Sequence, residues 1–197
     1  MGYSKTKIFN IALSNLGISA LIQNASQDDP RAIILNNFYE LARDFVLEAH
    51  DWSFANAFRD LSTSLISSPD PNYEFAYLLP NDCIAPRAAI CLLDNQEKKF
   101  DPAIDETSQK IIVTNCTPCR LRYTRRIDNE TLFTAGFVEV LGYKLASDAA
   151  QALLGSREKK ELNDRDYQIA LTRAIVFDAR KSKAQDQDDN DFTDARC

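Results

Sequence analysis

The apolar period of this 197-residue chain changes twice, and that change constrains the fold more than any single motif. Toward both ends, apolar side chains recur every three or four positions, the spacing of one helix face. Between them Tyr73, Phe75, Tyr77 and Leu79 alternate as a half-buried strand does, and Pro80 closes the run. The pattern is helices, then strands, then helices.

Four helices are predicted, over about 4–18, 30–50, 130–154 and 157–183. In the first, Ile8, Ile11, Ala12 and Asn15 share a face, with Phe9, Leu13 and Leu16 beside them. Gly17 stops it in the left-handed backbone that glycine adopts freely. Asp29-Pro30 opens the second, an acceptor side chain followed by proline at the first helical position. Along it Ile34, Phe38, Leu41, Phe45 and Ala49 make one apolar stripe. Asp128-Asn129-Glu130 opens the third, whose stripe is Phe133, Phe137, Leu141, Leu145 and Ala149, and Gly155 closes it. In the fourth, Leu162, Ile169 and Val176 repeat at seven, with Tyr167, Leu171 and Ala174 nearby. Between the second and third helices, 73–79, 84–93, 110–114 and 119–125 read as strands of a small antiparallel sheet, a β module over about 73–125. The expected fold is mainly α with a small antiparallel β insertion: a four-helix bundle with a peripheral sheet. No linker-like stretch divides it, so residues 1–183 read as one domain.

The last residues differ in kind. Five aspartates and one arginine fall between Ala184 and Cys197, so of the formal charge of −6 only −2 belongs to residues 1–183. A segment so polar buries too little apolar surface to order itself, and 184–197 reads as a flexible tail. An acidic chain disfavours tight binding to a phosphate backbone. No window approaches the length of a membrane span, and no membrane role is expected.

Residue types that carry catalysis are scarce. His50 is the sole histidine, which leaves Ser-His-Asp, Cys-His and His-based zinc sites unsupported; beside Trp52 it reads as a helix-end histidine. Cys116-Thr-Pro-Cys119 is a lone CxxC followed by a strand-like CRLRYTRR, where a redox CxxC opens a helix. Cys83 and Cys91 fit zinc spacing poorly, so the thiols read as reduced and structural. No glycine loop of a phosphate-binding kind occurs. The reading is a non-enzyme with no metal and no cofactor. Arg120, Arg122, Arg125 and Arg126 form the one basic cluster. Arg120 and Arg122 share a strand face, with Leu121 and Tyr123 on the other, as a solvated face or a contact to an acidic partner.

Several motifs follow one another along the chain: Asn10-x-x-Leu13-x-x-Leu16-Gly17; Tyr39-x-x-x-Arg43-Asp44-x-x-Leu47 leading into Trp52-Ser53-Phe54-Ala55 and Arg59-x-Leu61; and Tyr77-Leu78-Leu79-Pro80-Asn81-Asp82-Cys83. Leu121-x-Tyr123 with Phe133-x-x-x-Phe137-x-Glu139-x-Leu141, and Tyr167-x-x-x-Leu171-x-x-Ala174, complete the set, which spans nearly the whole chain. In order and spacing the set resembles the tail tubular protein A family of bacteriophage head-to-tail adaptors. Asp191-Phe192-x-x-Ala195-Arg196 is similar to an ending in which such proteins carry Trp where this chain has Phe.

The resemblance implies a structural connector in the virion, assembled in the host cytoplasm. It implies a dodecameric ring between portal protein and tail nozzle protein, which continues a channel for passing genomic DNA without sequence-specific binding. It assigns portal or tail docking to Asp191, Phe192, Ala195 and Arg196, and partner or lumen contact to Arg120, Arg122, Arg125 and Arg126. Two other classes compete. A nucleic-acid-binding module on the Arg120–Arg126 strand predicts salt-sensitive DNA binding. An enzyme completed between subunits, with Cys116 and Cys119 on zinc, predicts stoichiometric metal.

Overall fold

A computed structural model describes residues 2–61 and 66–194, with the side chains of 66–67 and 181–194 excepted. The chain divides into two compact units, one helical and formed by the segments before Ala55 and after Arg126, the other Ala55–Arg126. Both crossings fall between adjacent residues, so no linker marks them in the composition.

The helical unit holds α1 (Lys5–Asn15), α2 (Pro30–Ala49), α3 (Ala135–Leu154) and α4 (Arg157–Asp194), and α3 packs against each of the other three. Its punctuation follows the local chemistry. Ser4 caps α1, and Gly17 follows it at φ +82°. Asp29 caps α2, accepting from the Arg31 N–H at 2.8 Å, with Pro30 in the first turn. Gly155 ends α3 at φ +61°. The expected start of the third helix is corrected: Asn129 caps only a 3-10 turn, Glu130–Leu132, and Thr134 caps α3 itself. Glycine also sets spacing, because a Cβ on Gly142 would come within 2.6 Å of the Ile11 side chain, so α1 and α3 approach closely there. The α4 backbone stays helical to Asp194, past the Lys183 where the apolar period ends.

The β unit holds eight strands: β1 (Asn56–Leu61), β2 (Ile66–Ser67), β3 (Phe75–Leu78), β4 (Cys83–Cys91), β5 (Glu97–Lys98), β6 (Phe100–Ile104), β7 (Lys110–Thr114) and β8 (Cys119–Arg125). They form two four-stranded antiparallel sheets, ordered β1-β8-β4-β5 and β2-β3-β7-β6. One core joins them. Leu61, Ala89, Cys91, Cys119, Leu121 and Tyr123 of the first sheet meet Tyr77 and Ile112 of the second, with Cys116 among them. The expectation of a mainly helical α+β fold, a four-helix bundle with a small β insertion, is therefore corrected: among the described residues the α+β fold has four helices and two four-stranded antiparallel sheets. Among the described residues, no helix is long and apolar enough to cross a membrane.

Candidate interaction surfaces

Two helices carry apolar residues on both sides. On α2 the face turned inward is Ala32, Leu35, Tyr39, Ala42 and Val46, all buried. The sequence-predicted stripe lies elsewhere on the cylinder: Ile34 and Phe38 are half-buried, while Leu41 is 70% and Phe45 49% exposed. On α4 the inward face is Asn163, Tyr167, Ala170, Ala174 and Asp178, and the predicted heptad of Leu162, Ile169 and Val176 is 39–46% exposed. Both stripes are corrected from core to surface. The reason is that each helix carries two apolar faces: on α2 the one through Leu35, Tyr39 and Val46 is covered, and on α4 the one through Tyr167, Ala170 and Ala174, whose alanines allow close packing. By contrast the α3 stripe, Phe133, Phe137, Leu141, Leu145 and Ala149, is buried throughout, as expected.

The motif residues hold the helical unit together. Asn10 bonds the backbone of Ile22 both ways, its amide donating to the Ile22 carbonyl and its Oδ1 accepting the Ile22 N–H, each at 3.0 Å. Tyr39 donates to Glu130 at 3.1 Å, and buried Arg43 donates to Asp128 at 2.7 Å and pairs with Asp44 at 2.9 Å, so both tie α2 to the segment before α3. Burial, then the Glu130 carboxylate, hold the Tyr39 hydroxyl far above the usual tyrosine range. Trp52 is buried, donates through Nε1 to the Val46 carbonyl at 2.7 Å, and meets Phe137 edge-on at 5.2 Å.

His50 lies edge-on to Trp52 at 5.0 Å, the helix-end packing expected of it. What the sequence did not disclose is its acidic neighbour. Asp178 is buried on α4, accepts from the Ser53 N–H at 3.0 Å and Oγ at 2.7 Å, and stands 3.4 Å from His50 Nε2. The carboxylate sits between serine and histidine, so the imidazole is not bonded to the hydroxyl and this is no nucleophile-base pair. It ties α4 to the end of α2. The signal was Asp178 itself, four residues beyond Ala174 on the small-residue face. A groove of about 330 Å³ nearby is lined by Trp52, Gly136, Glu139, Ala174 and Phe177.

In the β unit, Arg120 is exposed beside buried Leu121 and half-buried Arg122 beside buried Tyr123, as alternation predicts. Arg120 pairs with Asp60 across β1 through Nε at 2.5 Å and Nη2 at 3.1 Å. Arg125 Nε lies 3.8 Å from Asp82, whose carboxylate also accepts from Tyr123 at 3.2 Å. Arg126 is exposed at the strand's end, its N–H bonded to the Asp82 carbonyl. Burial pushes the Cys83 thiol up to about 11 and holds Cys116 and Cys119 above the ordinary thiol range. Such thiols expose little thiolate for attack or oxidation. Among the described residues, no cluster of three or more His, Cys, Asp or Glu is arranged to hold a metal.

Of the docking residues assigned by resemblance, Asp191 and Phe192 lie in the helical backbone of α4, and Ala195 and Arg196 fall outside the described residues. No protein-family model matches this chain, and the search of curated proteins returned no relative.

Proposed function

We propose that this chain is a structural head-to-tail connector subunit of a tailed bacteriophage. It forms a ring between portal protein and tail nozzle protein in the virion and continues the channel through which genomic DNA passes. The observation that carries the reading is the ordered motif set over nearly the whole chain. Its members in the helical unit are the residues that fix that unit: Asn10 on the loop after α1, Tyr39 and Arg43 on the 128–130 segment, Trp52 on α2 and α3. The outer faces of α2 and α4 give such a subunit apolar surface to place against neighbours. The C-terminal residues Asp191, Phe192, Ala195 and Arg196 make the contact with portal or nozzle. A nucleic-acid-binding role for the Arg120–Arg126 strand is the weaker reading, because Asp60 and Asp82 stand against two of its four arginines.

The test is to mix the purified chain with its cognate portal, with and without residues 184–197, and image the particles by electron microscopy. The proposal expects a ring on the portal that is lost with the C-terminal residues. Folded protein that associates in neither form contradicts it.

A further inference from the structure

The outer faces of α2 and α4 carry opposite charge. Beside Ile34, Phe38, Leu41 and Phe45, α2 presents exposed Asn37, Glu40 and Glu48 and half-buried Asp44; Arg43 in that stretch is buried and bonded to Asp128 and Asp44, and Lys144 of α3, which lies over the Phe45 ring, is paired with Asp148. Around Leu162, Ile169 and Val176, α4 presents exposed Arg165, Arg173 and Arg180 along its length, with half-buried Asp166 among them and the acids Glu158 and Glu161 gathered at its first turns. At 1.5 Å per residue the two stripes run about 16 Å and about 21 Å, so the α2 stripe fits within the length of the α4 stripe. Each is apolar at its centre and charged at its edge, the composition of a docking surface.

We infer that the outer face of α2 of one copy seats on the outer face of α4 of the next. Pairing like with like would set Glu40, Asp44 and Glu48 against themselves, or Arg165, Arg173 and Arg180 against themselves. Pairing unlike faces covers both stripes and brings acid to base. A contact between two different patches is heterologous: every copy offers one face and receives on the other, so the contact propagates, and it closes into a ring when the rotation allows. The interface rests on the connector reading only for that closure.

The test is a charge swap. The variant Glu40→Lys/Glu48→Lys makes the α2 face basic, and Arg165→Glu/Arg173→Glu makes the α4 face acidic; all four side chains are exposed, and circular dichroism checks that each variant folds. Sedimentation and native mass spectrometry of each alone should show self-association weakened by roughly tenfold or more. An equimolar mixture should recover it, with the two variants alternating, because each supplies the face the other lacks. A photo-crosslinker placed at Leu41 should capture residues 162–176 of another copy.

Either variant alone associating as the parent does overturns the interface, as does a mixture that fails to recover. Parent protein that remains single at every concentration and on the portal overturns it too. The connector reading is judged separately: rings on the portal from each variant alone sink the interface and leave the connector, whereas rescued assembly that never binds portal keeps the interface and sinks the connector.

Discussion

The helical unit and the β unit treat their bulky apolar side chains differently. In the β unit, Leu121, Tyr123, Tyr77 and Ile112 meet between two sheets, and the exposed exceptions sit apart: Phe58 on edge strand β1, Leu93 in a turn, Ile104 at the end of β6. In the helical unit, α2 buries Leu35, Tyr39, Val46 and Leu47 and α4 buries Asn163, Tyr167 and Asp178, yet both helices also turn bulky apolar residues outward. One unit spends its apolar surface on itself. The other holds some back, and that reserve is where a partner gains most by covering it.

The contrast can be broken first in the helical core. Phe137 is fully buried against Trp52, Phe54 and Phe133, so Phe137→Ala should cost about 3–5 kcal/mol in urea unfolding, whereas Leu41→Ala on the outer face should stay within about 0.5 kcal/mol. Equal losses would mean that the outer stripe is core after all. Next in size, Asp178→Ala removes a buried charged acceptor from its part-buried hydrogen bonds with exposed Ser53 and should cost about 1.5–3 kcal/mol by the same measurement.

The β unit should show a base sensitivity set by its thiols. Folding raises the Cys83 thiol from an ordinary value of 9.0 to about 11. The folded state therefore keeps its proton where the unfolded chain releases it, and the associated stability is complete below pH 9 and is lost as pH rises toward 11. Cys116 and Cys119 shift in the same direction. Thiolate absorbance followed with near-ultraviolet dichroism should show thiol ionisation coupled to loss of sandwich packing. Free ionisation near pH 9 with packing intact would refute the burial argument. The smallest effect belongs to the exposed Arg120–Asp60 pair, for which Arg120→Ala should leave the urea unfolding midpoint close to the parent's.

How much could be read from the sequence follows from the same contrast. The caps at Asp29-Pro30, Gly17 and Gly155 are local chemistry and are visible in the chain. So is the α3 stripe, because α3 packs on three partners and its bulky residues have nowhere else to go. On α2 and α4, periodicity finds two apolar faces and does not distinguish them; the neighbouring helices cover the face through Leu35, Tyr39 and Val46 and the face through Tyr167, Ala170 and Ala174. The β unit was undercounted for other reasons. Asn56–Leu61 lacks clean alternation, and it pairs with β8 at the far end of the unit. Phe100–Ile104 contains Pro102, tolerated because β6 is an edge strand. The register of Arg120 and Arg122 was legible, but the Asp60 partner was not, since β1 itself was unseen.

The most direct test of the central claim, that the outer faces of α2 and α4 exist for assembly, is the double variant Leu41→Glu/Ile169→Glu, compared with the parent for thermal unfolding and for ring formation on the portal. The account predicts an unchanged fold, with melting within a few degrees of the parent, and no ring. Unfolding of the variant, or rings as complete as the parent's, would contradict it.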